Sequence, residues 1–140
     1  MRVFLDANIL FSAAWTDGAV SKLLNLTRAA KHECWVDAYV EGEARRNLLA
    51  KSPPAVRSLE AVLRHCRRVP FRPLKADIEA AVGMLPPDDR LVLGAAIRLH
   101  CAALITGDKR DFAPVLDRTV QGVTVYSPAS FYVAVILGRG

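Results

Sequence analysis

The chain is short of the residues that staple small domains together. Its cysteines number three, Cys34, Cys66 and Cys101, scattered and with no CxxC pair. That spacing argues against a zinc ribbon and a disulfide framework. It leaves each cysteine as a small apolar packing residue in a reducing compartment. Histidine is equally sparse: His32, His65 and His100 have no ligand-like spacing, so an imidazole metal site is not expected. Long apolar runs are missing too. Val3-Phe4-Leu5 is broken by Asp6 and is too short for the core of a signal peptide. The stretch from Phe131 to Leu137 falls far below the ~20 residues that span a bilayer. The expected setting is cytoplasmic, away from membranes.

What is present is a core. Of 140 residues, 52% are hydrophobic and 24% charged, which excludes disorder and low-complexity structure. One domain over residues 1–140 is the natural expectation, since no repeat and no linker divides the chain. The 19 Lys and Arg exceed the 14 Asp and Glu, leaving a net charge of +5. That modest excess is compatible with a polyanionic partner such as nucleic acid.

Short β-rich runs alternate with longer helical ones. Strands are expected at Val3–Leu5, Cys34–Val36, Ala103–Thr106 and Val123–Tyr126, with extended chain at Arg68–Phe71. Helices are expected over Val20–Ala30, from an Asp37 cap to about Leu49, and from Ser52-Pro53 to near His65. Others follow over Lys75–Met84, from Asp88 or Asp89 to about His100, and after Ser127-Pro128. The alternation predicts an α/β fold, a three-layer α/β/α sandwich around a mostly parallel central sheet.

In open parallel sheets, ligands bind beyond the carboxyl ends of the strands. Asp6 closes the first strand, and Asp108 follows the Ala103–Thr106 strand after one glycine. Either acid also suits a turn or a helix cap. In the helix after Asp37, Val40, Ala44 and Leu48 form an apolar stripe, with Glu41 and Arg45 on one flank. Glu43 borders the other flank, one turn from Asn47, which suggests a polar cleft there. A surface Glu pairing with Arg46 or Asn47 fits the same position. Asp88 and Asp89 open a helix, where acids are favoured by the dipole, so one can cap while the other faces a cleft.

The triplet Asp6-Ala7-Asn8, the run Thr106-Gly107-Asp108-Lys109-Arg110-Asp111-Phe112, and the order strand–Asp, helix–Glu, helix–Asp, strand–TxD together resemble the PIN-domain family of metal-dependent ribonucleases. The small size looks like the VapC-type toxins. The likeness runs from Val3 to Ser127-Pro128 and is silent between Ser52 and Phe71. It implies a PIN-like fold with a catalytic and metal-binding set of Asp6, Glu43, Asp89 and Asp108. The doublet leaves Asp88 as the alternative third acid. Asn8, Thr106 and Asp111 match common neighbours of such a site. It further implies an RNA substrate, a cognate antitoxin and a homodimer. The alternatives are an inactive PIN-like module that binds RNA or protein, and a phosphatase of the haloacid-dehalogenase type. The latter normally needs Asp-x-Asp, and here the third position is Asn8.

The chemistry explains why acids are wanted. Mg²⁺ and Mn²⁺ prefer oxygen ligands, which carboxylates supply. Converging carboxylates without cations repel one another. Arg45, Arg46, Lys51, Arg64, Arg67, Arg68, Arg72, Lys75, Lys109 and Arg110 are candidates to guide phosphates, or else form a solvated face. Trp15, Trp35 and Tyr39 are candidates to stack bases, with packing the better reading for Trp35.

Overall fold

The computed structural model describes residues 1–138, so the last two residues of the domain expected over 1–140 lie outside the described residues. The strands are β1 (Arg2–Leu5), β2 (Glu33–Asp37), β3 (Cys66–Val69), β4 (Ala103–Ile105), β5 (Thr119–Val120) and β6 (Val123–Tyr126). The helices are α1 (Ala7–Trp15), α2 (Ala19–Ala29), α3 (Ala38–Lys51), α4 (Val56–Leu63), α5 (Ala76–Ala81), α6 (Pro87–Arg98) and α7 (Pro128–Phe131). They form one six-stranded sheet in the order β3-β2-β1-β4-β6-β5, parallel except for β5 at the edge.

Val3, Phe4 and Leu5 of β1 are fully buried, as are Ala103, Leu104 and Ile105 of β4. Strands buried on both faces need helices on both faces, and the fold is the three-layer α/β/α arrangement expected. One helical group holds α1 packed against α2, α3 and α4; α5 packs against α6. The chain winds outward from β1 through β2 to β3, then returns to β4 on the other side. Strand order therefore reverses between β1 and β4, where open α/β sheets form a crevice.

Three local features differ from expectation. Helix α1 was not foreseen as a helix. Its Ala7, Ile9, Leu10, Ala13 and Ala14 are buried on one face, but Phe11 and Trp15 put apolar side chains on the open face, which blurs the stripe that marks an amphipathic helix. Strand β3 is Cys66–Val69 rather than Arg68–Phe71. Its register pairs Cys34 with Cys66 through Asp37 with Val69, and Pro70, without an N–H, ends it. The hairpin of β5 and β6 turns at Gln121 and Gly122, both at positive φ (49° and 85°), where glycine is the favoured residue. After α7 the chain continues as a π-helical segment, Tyr132–Ile136.

Candidate metal centre

The ends of β1 and β4 are tied together by side chains. Asp6 is 5% exposed and caps α1. Its Oδ1 accepts from the Ala7 N–H at 2.7 Å, and its Oδ2 accepts from Thr106 Oγ1 at 2.8 Å and Asn8 Nδ2 at 3.2 Å. Asn8 Oδ1 in turn accepts from the Gly107 N–H at 2.8 Å. The Asp108 N–H donates to Thr106 Oγ1 at 3.1 Å. Asp6 therefore caps α1 through Oδ1 and ties β1 to β4 through Oδ2, and it lines the crevice between them.

Around this floor lies a small cleft of about 100 Å³, lined by Asp6, Asn8, Glu43, Asn47, Asp88, Asp89 and Asp108. The structure thus gathers the four acids named from sequence, with both members of the doublet. Asp89 is half-buried and Asp88 exposed. Carboxylate oxygens of Asp89, Asp108 and Asp111 lie within 4.8 Å of one another. Asp111, expected from the sequence as a neighbour of the site, stands beside Asp89 and Asp108. The Asp111 N–H donates to Asp108 Oδ1 at 2.9 Å, a local turn that folds Asp111 back beside Asp108.

Crowding of negative charge shows in the acids. Burial pushes the Asp6 carboxyl above its ordinary value, against the lowering effect of its hydrogen bonds. Glu43 is raised by partial burial and by the charges of Asp6 and Asp88. Asp89 is pushed up to about 7 by burial, then by the Asp111 and Asp6 charges. Among the described residues, no salt bridge reaches any of these carboxylates.

These residues fit a hard divalent cation. Every donor is oxygen. Oxygens coordinating Mg²⁺ at about 2.1 Å stand at most ~4.2 Å apart. Three oxygens within 4.8 Å need only a small inward turn to enclose one. A cation would also offset the burial and the neighbouring charges that raise the Asp89 carboxyl.

The basic candidates divide. Arg45 pairs with Glu60, and Arg68 clasps buried Glu41 at 2.6 and 3.0 Å. Arg67 lies over Trp35, 5.4 Å from its ring centroid. These cations serve the fold, and Trp35, 7% exposed, is a packing residue. Arg46 stands near Glu43 and Tyr39. Lys51 is exposed beside Trp15. None of the three histidines lines the cleft.

A doubly wound sheet carrying a carboxylate cleft at its switch point defines an acid-lined α/β fold suited to phosphodiester chemistry. The PIN-domain family model matches residues 2–110, and the chain belongs to the PIN-domain family, a family of nucleases. The fold resembles that of a VapBC2 complex from Rickettsia felis bound to promoter DNA, at a TM-score of 0.66 and 18% identity over 91% of this chain and 98% of that one. A DNA-bound VapBC from Salmonella typhimurium gives 0.67 and 14% over the same shares. VapC20 of Mycobacterium tuberculosis, a toxin that cleaves the Sarcin-Ricin loop, gives 0.57 and 14% over 80% and 94%. Comparison with curated proteins finds no significant match.

Proposed function

We propose that this protein is a Mg²⁺- or Mn²⁺-dependent endoribonuclease and the toxin of a toxin–antitoxin pair. The observation that carries the reading is the convergence of Asp89, Asp108 and Asp111 within 4.8 Å, the first two of which line one cleft with Asp6 and Glu43. Asp89, Asp108 and Asp111 would hold the ion, with Asp6 completing the site from its hydrogen-bonded seat. A bound divalent ion lowers the pKa of its water and offsets charge on the phosphoryl oxygens. Glu43, whose carboxyl is raised by partial burial and by the Asp6 and Asp88 charges, would be suited to accept a proton from the attacking water. Asn8 donates to Asp6 at the position where a phosphatase would carry a second acid, which disfavours that alternative.

The partners follow the same reading. The VapBC neighbours are toxin–antitoxin assemblies, and an antitoxin that covers the cleft would silence this chain. Leu26, Tyr132, Val133 and Leu137 are exposed apolar residues available to an antitoxin or a homodimer. No helix among the described residues is long and apolar enough to cross a membrane, which accords with a cytoplasmic setting.

The test is cleavage of RNA with Mg²⁺ or Mn²⁺ by the wild-type chain and by Asp6→Asn. Cleavage that chelator stops and the variant lacks, with its circular dichroism unchanged, supports the reading. A wild-type rate in Asp6→Asn overturns it. Growth arrest on expression, relieved by the adjacent open reading frame, tests the toxin assignment separately.

A further inference from the structure

The acidic cleft does not end at its carboxylates. A second depression of about 370 Å³ is lined by Asn8, Phe11, Asn47, Ala50 and Lys51. It shares Asn8 and Asn47 with the acidic cleft, so the two make one continuous groove. Helices α1 and α3, which pack together, supply its sides. On α3, Glu43, Asn47 and Lys51 recur every four residues along one stripe, which rises about 12 Å from end to end. On α1, Asn8, Phe11 and Trp15 fall on one face at helical spacing.

The groove changes character along its length. At the cleft it is acidic; at Asn8 and Asn47 it offers amides. Its far end is aromatic and cationic. Trp15 is 45% exposed although it is a large apolar residue. Phe11 meets it edge to face at 4.8 Å, and Lys51 Nζ lies 5.5 Å from its ring centroid. Lys51 Nζ sits over that ring and Phe11 braces it, and close to half of the residue's surface stays open to solvent. An exposed indole braced by a second ring, with an ammonium beside it, is a stacking platform for a base with a partner for its phosphate.

We infer that the α1–α3 groove carries the single strand flanking the scissile phosphate, with a base on Trp15 and a backbone phosphate on Lys51. This assignment rests on the nuclease reading and extends it to substrate binding. It favours unpaired RNA, whose bases are free to stack, over duplex. The charge order fits the occupant: a polyanion gains from Lys51 at one end and meets the cation-demanding acids only where the metal would sit.

The experiment measures binding of a fluorescein-labelled single-stranded RNA by fluorescence anisotropy, in the Asp6→Asn background with Mg²⁺ present. Trp15→Ala should raise Kd about tenfold, as loss of one stacked base does, while Trp15→Phe keeps most of the affinity. Lys51→Ala should raise Kd and reduce the slope of log K against log salt by about 0.7, the loss of one phosphate contact. With Asp6 restored, both alanine variants should raise KM and leave kcat near wild type. Unchanged Kd and KM in Trp15→Ala and Lys51→Ala, with wild-type cleavage intact, overturn the groove and spare the nuclease reading. Unchanged RNA affinity with loss of a protein partner assigns the face to protein and overturns it equally. Failure of the wild-type chain to cleave any RNA strikes the nuclease reading instead, and the anisotropy still reports on the groove.

Discussion

The Thr106 hydroxyl donates to Asp6 Oδ2 at 2.8 Å, closing β1 onto β4 across 100 residues of chain. The contact is buried, and it lowers the pKa of a carboxyl that burial raises. Thr106→Val removes the donor but keeps the shape. We expect a loss of about 1–3 kcal/mol in stability, the cost of leaving a buried acceptor short of a partner. Divalent-ion affinity should fall about 10- to 100-fold, as it does when the groups that orient a ligand are lost. Thr106→Ser should retain most of both. Urea denaturation and calorimetric titration of Mn²⁺ measure the two effects.

Asp89 makes stability depend on pH in an unusual direction for an acid. Its carboxyl is raised to about 7 in the folded chain, from an ordinary value of 3.8. The native state therefore holds more protons than the unfolded state between those values, so stability falls as pH rises from about 4 to about 7. Thermal melts of metal-free protein should show a lower Tm at pH 7.5 than at pH 5.5. Asp89→Asn should flatten that trend and raise Tm at the higher pH. Mg²⁺ should raise Tm of the wild-type chain more at pH 7.5, where its ligand is ionised.

Arg68 and Arg45 test the division of the cations. Arg68 holds Glu41, which is buried, and both arginines share Glu60. Arg68→Ala leaves a buried carboxylate unpaired and should cost about 1–2 kcal/mol of stability. RNA affinity, read by the same anisotropy assay, should not change. An equal loss of RNA affinity and of stability would return these residues to the substrate surface.

Gly94 sits on buried α6, where a Cβ would come within 2.4 Å of Leu74 Cδ2. Gly94→Ala should destabilise by about 1–3 kcal/mol through overpacking, and Gly94→Ala with Leu74→Ala should recover part of it. Denaturant midpoints of the two variants decide this.

Much of the frame could be read from residues alone because its signals are local. Val3–Leu5 and Ala103–Ile105 are apolar runs of strand length, and each is followed closely by an acid, so the sheet edge and two cleft acids were legible together. Glu43 was legible from its place beside the Val40, Ala44 and Leu48 stripe. Asp37, also at the end of a strand, was correctly read as a cap, and its Oδ1 accepts from the Val40 N–H. What escaped was set by packing across the chain. Helix α1 showed no clear stripe because Phe11 and Trp15 are apolar on its open face as well. Asp111 comes beside Asp89 and Asp108 through a turn made by the Asp108 side chain. The bond from Arg68 to Glu41 spans 27 residues, and no spacing rule reaches it.

The central claim is that separate segments of chain hold one hard cation. Electron paramagnetic resonance of free Mn²⁺ tests it most directly, titrating wild-type protein and Asp108→Asn at pH 7.5. The wild-type chain should take up Mn²⁺ saturably, with affinity weakened at least tenfold by the single amide. Equal uptake by the two proteins, or none by either, would contradict it.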